Sequence, residues 1–278
     1  MRDRESLNER APGLGRVRVV HHRVGEPETD AENDWVAVEE PLELRVDGEP
    51  LVVTLRTPGA DRELAAGFLV AEGVVQSPDD LVSLETCRDP LAYDPDNVIE
   101  IELAPAAAAR REALERARRE QVAVAACGLC GKARLEHVVR ELPSVAPPRR
   151  PVDAVRITDL PPRMRGEQEL FAHTGGIHAA ALFTLDGDLL AVHEDIGRHN
   201  AVDKLVGSAL LAGELPLRDR IVVVSARAGF EIVQKAAAAG APILAAVGAA
   251  SSLAVDVAHR VGLELWTFVR PGRANRHV

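Results

Sequence analysis

The sequence predicts an α/β protein with an α+β first half and a parallel sheet in its second half. Three observations carry this: strict apolar alternation broken by Asp-Gly, a βαβαβ run near the C-terminus, and a proline-rich stretch between the halves. At 278 residues, 46% hydrophobic and 27% charged, the chain is long enough for one large or two ordinary domains with real cores.

Residues 1–15 mix Arg, Glu, Pro and Gly without periodicity and are expected as a flexible tail, with order beginning near Val17. Leu42, Leu44 and Val46 alternate, Asp47-Gly48 interrupts, and Leu51, Val53 and Leu55 alternate again, the pattern of a hairpin with one buried face. Leu64, Phe68 and Leu69 recur at helical spacing up to about Gly73, and Val98, Ile99, Ile101 and Leu103 predict a strand. Residues 106–120 combine strong helix formers with charges on most sides, which predicts a solvated helix or charged arm. The apolar run Val122 to Ala126 then leads into Cys127-Gly128-Leu129-Cys130, and Lys132 to Leu142 is again helical in composition, so the cysteines belong on a turn. Pro143, Pro147, Pro148 and Pro151 mark 143–152 as a linker between a small α+β domain at 16–142 and an α/β domain at 153–278.

Beyond the linker, Ile177 to Thr184, Asp186-Gly187 and Leu189 to Val192 predict a second hairpin, followed by a helix from about Asn200. The chain then reads strand (Ile221 to Val224), helix (Phe230 to Ala239), strand (Ile243 to Val247), helix (Leu253 to Val261) and strand (Leu263 to Val269). Strands rich in Val, Ile and Leu without alternation are what a parallel sheet covered on both faces demands.

Composition narrows the function. A formal charge of −10 and 3% aromatic residues argue against a nucleic-acid groove, which needs the opposite endowment. No apolar run approaches the roughly 18 residues of a membrane span and Met1 to Gly15 has no apolar targeting core, so the expected compartment is the cytoplasm. Three cysteines make no disulfide framework. Cys87 stands alone and reads as a small hydrophobe without a role.

In open α/β sheets, ligands bind beyond the carboxyl ends of the strands, where helix N-termini attract anions. Two small polar turns fall there, Ser225-Ala226-Arg227-Ala228-Gly229 and Gly248-Ala249-Ala250-Ser251-Ser252, and each fits either phosphate binding or plain serine capping. Phe268-Val269-Arg270-Pro271-Gly272-Arg273 puts two guanidinium groups on a turn at the same edge, suited to a diphosphate unless the terminus is simply solvated. Glu194 to Asn200 fits a catalytic cluster or a capped helix entry, and His173 and His178 flank a Gly-Gly turn.

The sharpest feature is the pair of thiols two residues apart. It can exchange a disulfide, bind metal or carry a persulfide. Lys132 and Arg134 would favour the thiolate, and Gly128 and Gly131 keep the loop open. Zinc lacks a second closely spaced pair, and a thioredoxin-like pair belongs near the start of a βαβ unit, which leaves sulfur carriage as the favoured reading.

The chain resembles the formate dehydrogenase accessory sulfurtransferases, also called FdhD sulfur carrier proteins. The resemblance rests on Leu44 to Leu51, Arg56 to Gly59, Leu64 to Leu69, Cys127 to Ala133, Thr174 to Ala181, Glu194 to Lys204 and Phe230 to Lys235. It implies a cytidine deaminase-like, three-layer C-terminal domain without zinc chemistry or any tightly held metal, and a homodimer. It also implies that persulfide sulfur from a cysteine desulfurase is passed to the molybdenum or tungsten bis(molybdopterin guanine dinucleotide) cofactor of formate dehydrogenase. Carried over, Cys127 is the persulfide carrier, Cys130 its partner, and Phe268 to Arg273 the cofactor-contacting segment, with Ser225 and Arg227 on the neighbouring turn. The alternative is a non-catalytic cofactor chaperone. Ala226, Gly229 and Gly248-Ala249-Ala250 depart from the family's usual turns at the nucleotide edge, whereas the carrier loop matches it.

Overall fold

The computed structural model describes residues 12–25, 30–88, 94–118 and 142–277. Strands β1 (Leu14–Val19) and β2 (Glu32–Ala37) pair antiparallel as a ribbon, so the first strand begins at Leu14, before the expected Val17. A four-stranded sheet follows, in the order β4-β3-β6-β5, from β3 (Glu40–Val46), β4 (Glu49–Arg56), β5 (Leu81–Thr86) and β6 (Val98–Leu103). The predicted hairpin is β3–β4. Its two turn residues, Asp47 and Gly48, have φ of 53° and 80°, the left-handed pair that matches the twist of the flanking strands. Leu42, Leu44 and Val46 face inward against helix α1 (Asp61–Ala71).

Short helices α2 (Pro105–Ala108) and α3 (Arg111–Ala117) correct the expectation for 106–120. Ala107, Ala113 and Ala117 are buried in the main core, so the segment lays one alanine face on the fold and solvates only the other. Alanine counts as a helix former in the sequence pattern, and its small side chain also permits this close packing.

Residues 142–153 contain no helix or strand, and Val145 is buried there with its N–H donating to the Val261 carbonyl at 2.7 Å. Helix α4 (Ala154–Gly166) was not predicted, because Pro161-Pro162 interrupts its pattern; Asp153 caps it by accepting from Arg156 N at 2.7 Å. Helix α5 (Glu169–Thr174) leads to the second sheet.

That sheet has the order β12-β11-β10-β9-β7-β8. Strands β7 (His178–Thr184) and β8 (Leu189–Asp195) form the second hairpin, followed by helix α6 (Arg198–Leu211). Then come β9 (Arg220–Val224), α7 (Phe230–Ala238), β10 (Ile243–Ala246), α8 (Ser252–Val261), β11 (Glu264–Arg270) and β12 (Arg273–Arg276). β9, β10 and β11 are parallel, as read from their continuous apolar runs. Val222, Val224, Leu244 and Ala246 face α6, α7 and α8, while Ile221, Val223, Ile243 and Ala245 face Ile157, Leu160 and Met164 of α4.

The first core cluster runs without a break from the four-stranded sheet through α1 and α6 to the central sheet. Glycines allow it. A Cβ on Gly67 would sit 1.9 Å from the Asp203 carbonyl oxygen, and one on Gly207 would sit 1.8 Å from that of Glu63, so α1 and α6 touch backbone to backbone.

Candidate functional site

The parallel strands deliver three turns to one end of the central sheet. Hydrogen bonds stitch the first to the second: Val247 N to Val224 O (3.0 Å), Gly248 N to Ala226 O (3.1 Å), Ala228 N to Ala249 O (2.9 Å) and Ser251 N to Ala228 O (3.2 Å). Phe268 N donates to Gly248 O at 3.0 Å and ties in the third. Helices α7 and α8 begin here, and Ser251 caps α8 by accepting from Ala254 N at 3.3 Å. Their free N–H groups make this end favourable for anions.

The predicted cofactor-contacting residues gather at this edge. Arg227, Arg270 and Arg273 are exposed and form no ion pair among the described residues. Arg270 and Arg273 pair across the β11–β12 hairpin, whose turn is Pro271-Gly272 with Gly272 at φ 74°. Val269 is fully buried and anchors the segment. Phe268 is 37% exposed at a bulge in β11, with φ 50°, a left-handed conformation that costs a bulky residue about 1–2 kcal/mol. Ser225 is committed to the fold instead: its Oγ accepts from Ala179 N at 2.9 Å and its N–H donates to Ala179 O at 3.0 Å.

His178 and the 194–200 loop lie at the same end, because β7 starts and β8 finishes there, with His178 opposite Asp195. Burial, then the charges of Arg198 and His199, depress the His178 pKa, which favours a neutral ring. His173 does not join it. That ring packs edge-on against Trp35 of the ribbon at 5.9 Å between centroids.

The Glu194-to-Asn200 cluster proves to be a structural joint. Asp195, fully buried, accepts from Thr57 N (3.1 Å), Gly197 N (2.8 Å) and Asn200 Nδ2 (3.1 Å) and pairs with Lys204 Nζ at 2.7 Å. Lys204 also donates to Thr57 O at 2.8 Å, and Asn200 donates to Leu55 O at 2.8 Å. Glu194 accepts from Leu170 N and Phe171 N at the start of α5. The end of β4 is thereby bolted to the entry of α6. Replacing Lys204 with methionine strands a buried carboxylate, and the expected loss is about 3–5 kcal/mol in denaturant unfolding. A loss under about 1 kcal/mol would show that the joint carries little of the stability.

The FdhD/NarQ family model matches residues 37–277. This chain belongs to the FdhD/NarQ family. It is similar to proteins named sulfur carrier protein FdhD: 46% identical to that of Streptomyces coelicolor, covering 94% of each chain. The identity is also 46% with that of Corynebacterium efficiens, over 88% of this chain and 89% of the other, and 47% with that of Nocardia farcinica, over 85% and 84%. A crystal structure described as a formate dehydrogenase accessory protein from Desulfotalea psychrophila shares the fold at a TM-score of 0.74 and 24% identity, covering 96% of this chain and 97% of that one.

Within this family member, Cys127 and Cys130 lie outside the described residues. Cys87 is buried and its N–H donates to Val98 O, in keeping with its reading as a small hydrophobe. Sequence reasoning assigned no role to a second ionic ladder between α6 and α7. There His199 Nε2 meets Glu231 at 2.9 Å, and Lys235 Nζ meets both oxygens of Asp203 at 2.7 and 2.8 Å. Burial pushes the Asp203 carboxyl up to about 6, against the pull of Lys235. The i, i+4 spacing of His199 with Asp203 and of Glu231 with Lys235 was the available signal, since it puts each pair on one helix face. Among the described residues, no helix is long and apolar enough to cross a membrane.

Proposed function

We propose that this chain carries persulfide sulfur on Cys127 from a cysteine desulfurase to the molybdenum or tungsten bis(molybdopterin guanine dinucleotide) cofactor, which it binds as substrate, for formate dehydrogenase. The observation that favours an acceptor site is the set of three exposed arginines, without an ion pair among the described residues, on stitched turns at two helix N-termini. The relatives' shared name, sulfur carrier protein, supports the sulfur half. In the same reading the protein is a cytoplasmic homodimer, and its C-terminal half, a sheet with helices on both faces, is cytidine deaminase-like.

The Cys127 thiolate attacks the outer sulfur of the donor persulfide, so one S–S bond forms on Cys127 as the donor's breaks and its thiolate leaves. For release, the Cys130 thiolate attacks the Cys127 sulfur. A Cys127–Cys130 disulfide forms, the outer sulfur departs as hydrosulfide and, with one proton taken from water, replaces an oxygen ligand of the substrate metal that is lost as water, and two equivalents of a cellular thiol reduce the disulfide while becoming a disulfide themselves.

Arg270 and Arg273 are the proposed diphosphate contacts, with Arg227 opposite. Calorimetric titration of the full chain with GDP is expected to show binding that Arg270→Ala with Arg273→Ala weakens by about 10-fold or more, given 1.5–3 kcal/mol per charged hydrogen bond. Unchanged affinity in that variant would contradict the placement of the cofactor at this edge. A cofactor chaperone without sulfur chemistry would bind GDP equally well, but it would have no need of Cys127.

A further inference from the structure

We infer that His199 is the proton donor for the sulfur exchange proposed above, and that Glu231 is the positioning residue that holds its ring. The inference rests on the sulfur-transfer reading and adds to it the group that lets the displaced oxygen leave as water.

The pair joins two helix starts at the ligand end of the central sheet. His199 is the second residue of α6 and Glu231 the second of α7. Ala180 lies opposite Val224, so β7 begins beside the end of β9, and β8 finishes opposite that same beginning. His199 Nε2 lies 2.9 Å from Glu231 Oε2, with 13% and 12% of the two side chains exposed. In so dry a setting the contact is stronger than in water, and it fixes the ring: Nε2 keeps its hydrogen toward the carboxylate, and proton exchange falls to Nδ1. One turn further along both helices, Lys235 Nζ meets both oxygens of buried Asp203 at 2.7 and 2.8 Å, which sets the spacing of α6 and α7.

The charged and titratable groups around His199 are Glu231 and, beyond it, Lys235 on α7, Arg198 and Asp203 on its own helix, and His178 at the start of β7. The Asp203–Lys235 pair already ties the two helices. A purely structural second pair would be served at every pH by arginine or lysine, whereas imidazole is a cation only while it holds its proton, which suits a group that gives that proton away.

When hydrosulfide replaces the oxygen ligand of the substrate metal, its own proton and one more must reach that oxygen. The imidazolium gives the second from Nδ1, becomes neutral, and regains a proton from water.

The test follows the activation of formate dehydrogenase in extract from cells lacking the protein, after addition of purified full-length protein charged with persulfide, across a range of pH. Wild type is expected to lose rate on the alkaline side. His199→Gln, which keeps a hydrogen bond to Glu231 but holds no proton to give, is expected to load persulfide within about 2-fold of wild type, activate about 100-fold more slowly, and lack the alkaline fall. Added imidazole is expected to speed His199→Ala by about 10-fold or more, which a merely structural histidine would not show. If the His199 variants do not fold, Glu231→Gln must slow activation by about 10-fold and move the alkaline fall to lower pH, because the imidazolium has lost its carboxylate. A His199→Gln rate within about 3-fold of wild type, a wild-type alkaline fall retained by that variant, or an unmoved fall in Glu231→Gln would overturn the inference alone. Activation by Cys127→Ala at the wild-type rate would overturn the sulfur-transfer reading with it.

Discussion

Gly207→Ala is expected to lower the thermal unfolding midpoint by about 6–12 °C, a loss of roughly 3 kcal/mol or more from overpacking. The new methyl would meet the Glu63 carbonyl oxygen at 1.8 Å and the Gly67 nitrogen at 2.7 Å. Both are backbone atoms, so no rotamer change relieves the clash and the two helices must separate. Separation at this crossing also reaches the ionic joint. Gly67 packs on the backbone of Asp203, whose side chain pairs with Lys235, and the next residue is Lys204, which bonds Thr57 and Asp195. Scanning calorimetry measures the shift, and a midpoint within about 2 °C of wild type would show that the helices can part at little cost.

Cys127→Ala is expected to reduce formate dehydrogenase activity to the level of cells lacking the protein, a loss of at least about 1,000-fold in sulfur transfer, because alanine has no nucleophile to take up sulfur. Comparing strains that carry wild type, Cys127→Ala and Cys87→Ala checks this. Cys87 is buried, so Cys87→Ala should retain activity. If Cys127→Ala supported normal maturation at equal protein level, the chaperone alternative would replace sulfur carriage.

Where local pattern fixed the structure, it was legible in the sequence. The Asp47-Gly48 turn and the alternation around it specify the β3–β4 hairpin through backbone sterics alone, and the apolar runs at 221–224 and 243–246 identify strands buried on both faces. The gathering of the three turns at one edge was legible for the same reason, since parallel strands must deliver their following turns to one end. Other parts depend on distant partners. Helix α4 tolerates Pro161-Pro162, which local rules assign to a break, and β1 and β2 hold together without a clear apolar face. The alternation of charges at 194–204 is visible, but nothing local shows that Asp195 and Lys204 are buried as a pair, because their partner is Thr57 in the other half of the chain. Likewise, the closeness of Gly248 to Arg227 joins residues on separate strands' turns and leaves no trace in either turn alone.

The measurement that bears most directly on sulfur carriage is peptide mass mapping under non-reducing conditions after incubation with a cysteine desulfurase and cysteine. Sulfur carriage predicts one added sulfur atom on the peptide containing Cys127 and none on the peptide containing Cys87. A Cys127 peptide that gains no sulfur, while the desulfurase itself is charged with persulfide, would contradict it.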